Sequence, residues 1–253
     1  MGQVISISNQ KGGVGKTTTA INLAASLAAA EKDCLLIDCD PQGNATTGVG
    51  QDPAALPAGV YDLLMENAPF DQVLTRTSLP RLHLIGSTAD LIGAEVELAA
   101  IEGKEFRLRR ALAPLRERYA YIFLDCPPSL GFLTVNALSA AQAVLVPLQC
   151  EYYALEGLSQ LLTTIRAVQQ GLNPSLRLAD ILLTMYDSRN NLSQQVESEA
   201  RTLFKERVFK TVIPRNVRLS EAPSYGKPIL LYDIRSKGAQ SYLTLARELM
   251  ERG

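Results

Sequence analysis

The sequence predicts an α/β fold: a single domain over residues 1–253, built on a mostly parallel central sheet of about eight strands with helices covering both faces. Three observations predict it. Short β-branched or Leu-rich runs recur between longer helix-compatible stretches, the alternation that builds a parallel sheet. Several of these runs are apolar throughout instead of alternating, as strands buried on both faces must be. The first run passes through a glycine-rich loop directly into an Ala-rich stretch, so strand, loop and helix follow one another at the N-terminus.

The strand runs are residues 4–8, 34–38, 82–86, 121–125, 143–148, 179–185, 208–214 and 229–232. Residues 17–30 are rich in Ala and Leu, and 153–170 and 193–204 space their apolar residues as helices do. Residues 238–253 read as a final packing helix, apolar at 242, 243, 245, 246, 249 and 250. Pro53, Pro57, Pro69 and Pro80 mark 50–80 as an irregular excursion with short helices. There is no repeat, low-complexity tract or linker to divide the chain.

Composition excludes several classes. At 253 residues and 47% apolar content the chain buries a substantial core, and its net charge of −1 advertises neither nucleic acid nor acidic lipid globally. No apolar stretch reaches the ~18–20 residues that span a bilayer, and residues 1–8 lack the basic and apolar regions of a signal peptide. Cys34, Cys39, Cys126 and Cys150 show neither CxxC spacing nor a His-rich neighbourhood, and three sit inside apolar runs where a reduced thiol packs as a small hydrophobe, so a reducing, cytoplasmic compartment is expected.

The chemistry concentrates in the loop Lys11, Gly12, Gly13, Val14, Gly15, Lys16, Thr17 and Thr18. Glycines let backbone N–H groups turn inward around an anion, a helix N-terminus adds partial positive charge, and Lys16 reaches the outer phosphates while Thr17 offers a hydroxyl to Mg²⁺. Two further runs deliver acids to the C-terminal ends of strands, where ligands sit in open α/β sheets. Residues 34–38 discharge Asp38 and then Asp40, held by Pro41 and Gly43, and an acid there orients an attacking water or holds water on Mg²⁺. Residues 121–125 carry Asp125 in the form that brings a carboxylate to a metal's hydration shell.

An ordinary phosphate loop has glycine where this chain has Gln10, and this chain adds Lys11. The Lys-Gly-Gly-x-Gly-Lys-Thr spelling resembles the deviant Walker-A P-loop ATPases, a superfamily that includes the ParA/Soj and MinD proteins, nitrogenase iron protein and the arsenite-pump ATPase. Later segments (149–157, 184–187 and 213–224) are similar to the chromosomal ParA/Soj branch. The resemblance implies an ATP- and Mg²⁺-dependent ATPase in which Lys11 crosses a dimer interface to the partner's nucleotide. It implies that Asp40 positions the hydrolytic water, that Asp38 supports the metal shell alongside Thr17 and Asp125, and that Pro214 and Asn216 contact the adenine. It also implies DNA partition: an ATP-dependent homodimer on non-specific DNA, reset by a ParB/Spo0J-type centromere-binding protein, in the nucleoid-associated cytoplasm.

Charge distribution bears on the DNA expectation. Residues 189–237 hold ten basic residues against five acidic, whereas residues 1–188 carry a net −6. A basic third suits a phosphate backbone bound without sequence preference, with Arg189, Arg215 and Arg218 as candidate contacts. A MinD-like membrane-cycling ATPase of division-site placement is the alternative. It wants a Lys/Arg-rich amphipathic anchor, and the charges of 238–253 balance. An electron-transfer reductase needs cluster-ligating cysteines, and Cys126 and Cys150 do not stand in that pattern. With the first strand at residue 4, no N-terminal DNA-binding domain is expected.

Overall fold

The computed structural model describes residues 2–151 and 154–252. Seven strands form one sheet in the order β3-β4-β2-β5-β1-β6-β7. They are β1 (Gln3–Ile7), β2 (Cys34–Asp38), β3 (Leu74–Arg76), β4 (Leu82–Ile85), β5 (Tyr121–Asp125), β6 (Ala143–Gln149) and β7 (Arg177–Thr184). All neighbours are parallel except β3, which pairs antiparallel with β4 at one edge.

The helices are α1 (Lys16–Ala29), α2 (Asn44–Gly48), α3 (Val60–Met65), α4 (Phe70–Val73), α5 (Ala94–Ala99), α6 (Arg107–Leu112), α7 (Phe132–Ala140), α8 (Ala154–Gly171), α9 (Asn191–Phe204), α10 (Val217–Glu221), α11 (Ile229–Tyr232) and α12 (Lys237–Arg252), with short 3₁₀ turns between. Because successive strand residues point to opposite faces, each central strand feeds two cores. Leu35, Ile37, Ile122 and Leu124 pack with helices α3 and α5–α9 on one side, while Cys34, Leu36 and Phe123 pack with α1 and α12 on the other. Phe123 is fully buried, and truncating it to Ala would cost about 3–5 kcal/mol.

The sequence expectations differ from the structure at three places. Residues 229–232 are helical: Pro228 precedes the first turn, Ile229 N–H donates to Asn22 Oδ1 (2.7 Å), and four apolar residues are too few to display a period. Residues 208–214 run beside β7 but, among the described residues, make only two isolated bridges, Ile181 with Val208 and Tyr186 with Pro214. Between them the N–H groups of Lys210 and Thr211 donate to the Glu248 carboxylate of α12 (2.7 and 2.9 Å) instead of to the strand. The excursion 50–80 holds the expected short helices and also β3. The sheet therefore has seven strands where about eight were expected.

Register is pinned at the end of the sheet remote from the strand C-termini. Gln142 both donates its N–H to Val4 O (2.9 Å) and accepts Val4 N–H on Oε1 (2.6 Å), tying β1 to the start of β6. Asp33 O accepts from Ala120 and Tyr121 N–H, tying β2 to β5.

Candidate nucleotide site

The phosphate loop is shaped by backbone that only glycine adopts cheaply. Gly13 and Gly15 have φ of +73° and +89°, so a Cβ would strain both turns. Gly15 occupies the N-cap of α1 and provides no side-chain cap, leaving the first N–H groups of a 14-residue helix directed at the loop. Asn9 and Thr184 brace it. Asn9 Oδ1 accepts the Lys11 N–H (3.0 Å) and its Nδ2 donates to Pro147 O of β6 (2.7 Å). Thr184 Oγ1, at the end of β7, donates to Val14 O (2.9 Å).

Lys16 is only 7% exposed and folds back so that Nζ donates to Lys11 O (3.0 Å). Burial pushes its ammonium pKa down, and the nearby Asp125, Cys126 and Asp40 pull it back up. Lys11 forms an ion pair with Glu151 of its own chain. Parallel pairing aligns Asp38 on β2 with Asp125 on β5, and Asp125 with Ile7 at the mouth of the loop. With Cys34, Leu36 and Phe123 facing α1, the period of two turns both acids to that same side.

The two aligned acids differ in how they are satisfied. Asp38 Oδ2 accepts from the N–H and the hydroxyl of Thr46 (both 2.7 Å), and Oδ1 from Asp40 N–H (3.3 Å). Burial still outweighs these bonds and pushes its pKa up to about 6. Asp125 is fully buried, and neither oxygen completes a hydrogen bond of acceptable geometry among the described residues. Burial, then Asp38, drive its pKa well above the carboxylate range, while the nearby Thr17 hydroxyl and Lys16 pull it down. A buried carboxylate left in that state costs more than it returns unless a cation or donor meets it. Asp40 is 8% exposed, and its Oδ1 accepts Gln42 N–H (3.0 Å), which folds the loop after β2 around the cleft.

The cleft has two joined halves. One, of about 490 Å³, is lined by Gly12, Lys16, Thr17, Asp40, Gln42 and Pro128 among others. The second, of about 520 Å³, shares Gly15, Thr18, Met185 and Pro223 with the first and extends over Pro214, Arg215 and Asn216. Asn216 Oδ1 is buried without a partner among the described residues. The loop expected to contact a base thus borders the phosphate loop, although its run is not a strand.

A family model described as an AAA domain matches residues 2–178. The chromosome partitioning protein ParA of Myxococcus xanthus is 60% identical over 252 residues, covering 100% of this chain and 89% of that protein. The chain belongs to the ParA/Soj family of chromosome-partitioning ATPases. Its likeness to the sporulation initiation inhibitor protein Soj of Bacillus subtilis, 55% over 253 residues, covers 100% of both chains. A Mycobacterium smegmatis crystal structure, described as cobyrinic acid a,c-diamide synthase with bound ATP analogue and magnesium, superposes with a TM-score of 0.88. It is 39% identical and covers 100% of this chain and 96% of that one. In this ParA/Soj chain the phosphate loop follows β1, which lies between β5 and β6 in the sheet.

The candidate DNA contacts fall in two places. Arg189 is 88% exposed and grips Asp187 through Nε and Nη2 (3.0 and 2.9 Å). Arg189 and Arg215 both act on Asp187, holding its carboxyl at about 2. Arg218, in α10, pairs with Glu221 (2.8 Å) and more distantly with Asp233 (3.7 Å). All four cysteines are buried free thiols, one more than the apolar runs indicated; Cys126, beside Asp125, is pushed up to about 11 by burial. Sequence reasoning missed the bracing roles of Asn9, Thr46 and Thr184. Of these, only Thr184 carried a signal, as part of the segment 184–187. Tyr152 and Tyr153 of the segment 149–157 lie outside the described residues. Among the described residues no helix is long and apolar enough to cross a membrane.

Proposed function

We infer that this ParA/Soj chain is an ATP-driven DNA-partition ATPase, a dimer on DNA when ATP is bound and a monomer after hydrolysis. The observation that carries the reading is the fully buried Asp125, whose oxygens complete no hydrogen bond of acceptable geometry among the described residues, aligned with Asp38 and near Thr17 and Lys16 of the phosphate loop. A donor set of one free carboxylate and one hydroxyl suits Mg²⁺, which keeps several waters and takes the rest from phosphates. Mg²⁺ there would neutralise charge developing between the outer phosphates.

The residues divide the remaining work. Thr17 and Asp125 hold the metal side, with Asp38 fixing the loop that carries Asp40. Gly12, Gly13, Val14, Gly15 and Thr18 cradle phosphate with backbone N–H groups, and Lys16 leaves Lys11 O to reach the outer phosphates. Asp40 orients the attacking water. Pro214 packs on the base and Asn216 offers its amide to the base edge. Lys11 leaves Glu151 and reaches the nucleotide of a second copy, so that dimerisation follows ATP. Two copies double the basic surface of Arg189, Arg215 and Arg218, turning weak phosphate contacts into avidity that hydrolysis ends. A ParB-type partner stimulates that hydrolysis. The bound ATP analogue and magnesium of the Mycobacterium smegmatis relative support the cofactor assignment.

Binding to arbitrary duplex DNA, measured against salt with ATP and with ADP, tests the reading. Retention at least about tenfold tighter with ATP, falling steeply with salt, is expected. Equal retention with both nucleotides, or ATP-dependent capture by anionic vesicles in place of DNA, would overturn it, the latter in favour of membrane cycling.

A further inference from the structure

The end of the sheet remote from the nucleotide cleft carries a further hollow of about 590 Å³, larger than either half of that cleft. Its floor is made by Gln3 and Tyr121, the first residues of β1 and β5, and by Asp33 just ahead of β2. β1 and β5 are each five residues long, which sets the hollow on the order of 16 Å from the phosphate loop.

Lys32, Arg116, Arg118 and Arg177 line it against Asp33 and Glu117. Some of this charge is matched elsewhere. Asp33 pairs with Arg81 (2.9 Å), while Arg118 reaches Asp71 (3.7 Å) and lies 5.0 Å from the Phe70 ring centroid. Arg177 acts on Asp180, a carboxylate that Arg252 contacts at 3.6 Å. Lys32, Arg116 and Glu117 form no ion pair among the described residues, and Glu31, next to Lys32 in the chain, does not line the hollow. With Asp33 and Arg118 set aside, three cations face one carboxylate.

Arg116 shows what this excess lacks. Its Nε is withdrawn from solvent and has no hydrogen-bond partner. Arg107 Nε is in the same state, but Arg107 Nη1 pairs with Glu66 (3.1 Å) and donates to Leu64 O (3.4 Å). No side-chain bond among the described residues holds the Arg116 guanidinium. A buried donor left in that state is destabilising until an acceptor meets it. A guanidinium offers a planar fork that fits phosphate through two parallel bonds, and an ammonium such as that of Lys32 adds a point charge beside it.

We propose that this hollow binds a small anion carrying linked phosphates, at a site separate from the nucleotide cleft. Linked phosphates bring acceptors to Arg116 and Lys32 at once, where a single carboxylate would answer only one of them. A DNA duplex laid across the hollow would meet exposed Lys32 and Arg177 but leave the withdrawn Arg116 Nε unanswered. The proposal does not depend on the partition reading above.

Calorimetric titration of the full chain with pyrophosphate tests the site, with Mg-ADP kept in excess so that the nucleotide cleft is filled. Saturable binding is expected, with hydrogen-exchange protection confined to residues 32–34 and 115–121. Arg116→Gln, and separately Lys32→Glu, should weaken binding by about tenfold or more. Arg189→Glu with Arg218→Glu should change it less than about twofold. Lys32→Glu, at an exposed position, should leave basal ATP turnover unchanged, which separates loss of the site from loss of the fold. Absence of binding, affinity that falls as Mg-ADP is raised, equal weakening in the Arg189 and Arg218 variant, or displacement of pyrophosphate by duplex DNA would each overturn the proposal. Citrate binding more tightly than pyrophosphate would overturn phosphate as the ligand class.

Discussion

The phosphate half of the cleft and the basic C-terminal third both handle phosphate, yet they hold their charges in opposite ways. Lys16, Asp38, Asp40 and Asp125 are each under 10% exposed, and their positions follow from strand register and a glycine-shaped loop. Arg189 and Arg218 are 88% and 54% exposed at their side chains and are paired with neighbouring carboxylates. Buried charges interact through a low dielectric, so each one is individually decisive. Exposed ones are screened and replaceable, and only their number matters. A reaction centre and an adhesive surface on one chain therefore answer differently to the same kind of substitution.

The contrast can be broken in several ways. Lys16→Ala should have the largest effect, lowering phosphate release by about a hundredfold or more; turnover within tenfold of wild type would show that Lys16 is not the phosphate contact. Asp40→Ala should lower turnover by about tenfold or more while ATP-dependent dimer still forms on size-exclusion chromatography. Normal hydrolysis would remove Asp40 as the water-positioning acid.

Asp38 sharpens the comparison through pH. Its folded-state pKa of about 6 lies above the ordinary 3.8, so between those values the folded chain holds its proton while the unfolded chain has lost it. Stability of the nucleotide-free protein should thus fall as pH rises from about 4 through about 6, by on the order of 1–3 kcal/mol. Denaturant melts across that window should show the slope in wild type and a shallower one in Asp38→Asn, the remainder coming from Asp125, whose carboxyl burial raises as well; a slope of opposite sign would contradict the burial argument. On the surface, Arg189→Glu, Arg215→Glu and Arg218→Glu should each weaken DNA binding by only about three- to tenfold and flatten the salt dependence by about one ion. DNA-free turnover should be unchanged in Arg189→Glu and Arg218→Glu, whose side chains do not line the nucleotide cleft. A single substitution that abolished DNA retention would mean this surface is built like a site.

What the sequence revealed follows the same division. The phosphate loop, Asp38 and Asp125 were readable because a backbone conformation and a strand end demand particular residues at particular spacings. The helix at 229–232 and the broken edge at 208–214 were not, because a distant partner decides each: Asn22 for the first, Glu248 for the second. The antiparallel β3 hides among prolines and is only three residues long. The Thr46 clamp and the Thr184 brace involve hydroxyls whose value depends on the carboxylate or carbonyl they meet, which no local pattern announces.

The pinning of Val4 by Gln142 has a further consequence. Strands apolar on both faces gain nothing from one register over another two residues away, since every side chain would still be buried on its own side. Such a slip would nonetheless carry Asp125 about 6–7 Å from the phosphate loop. The polar ties at the far edge, Gln142 to Val4 and Asp33 to Ala120, act as the stops against which the sheet is indexed. Chemistry at one end of the molecule is thereby aligned from the other, β6 through Gln142 and the strand of Asp125 through the Ala120 and Tyr121 N–H groups on Asp33 O.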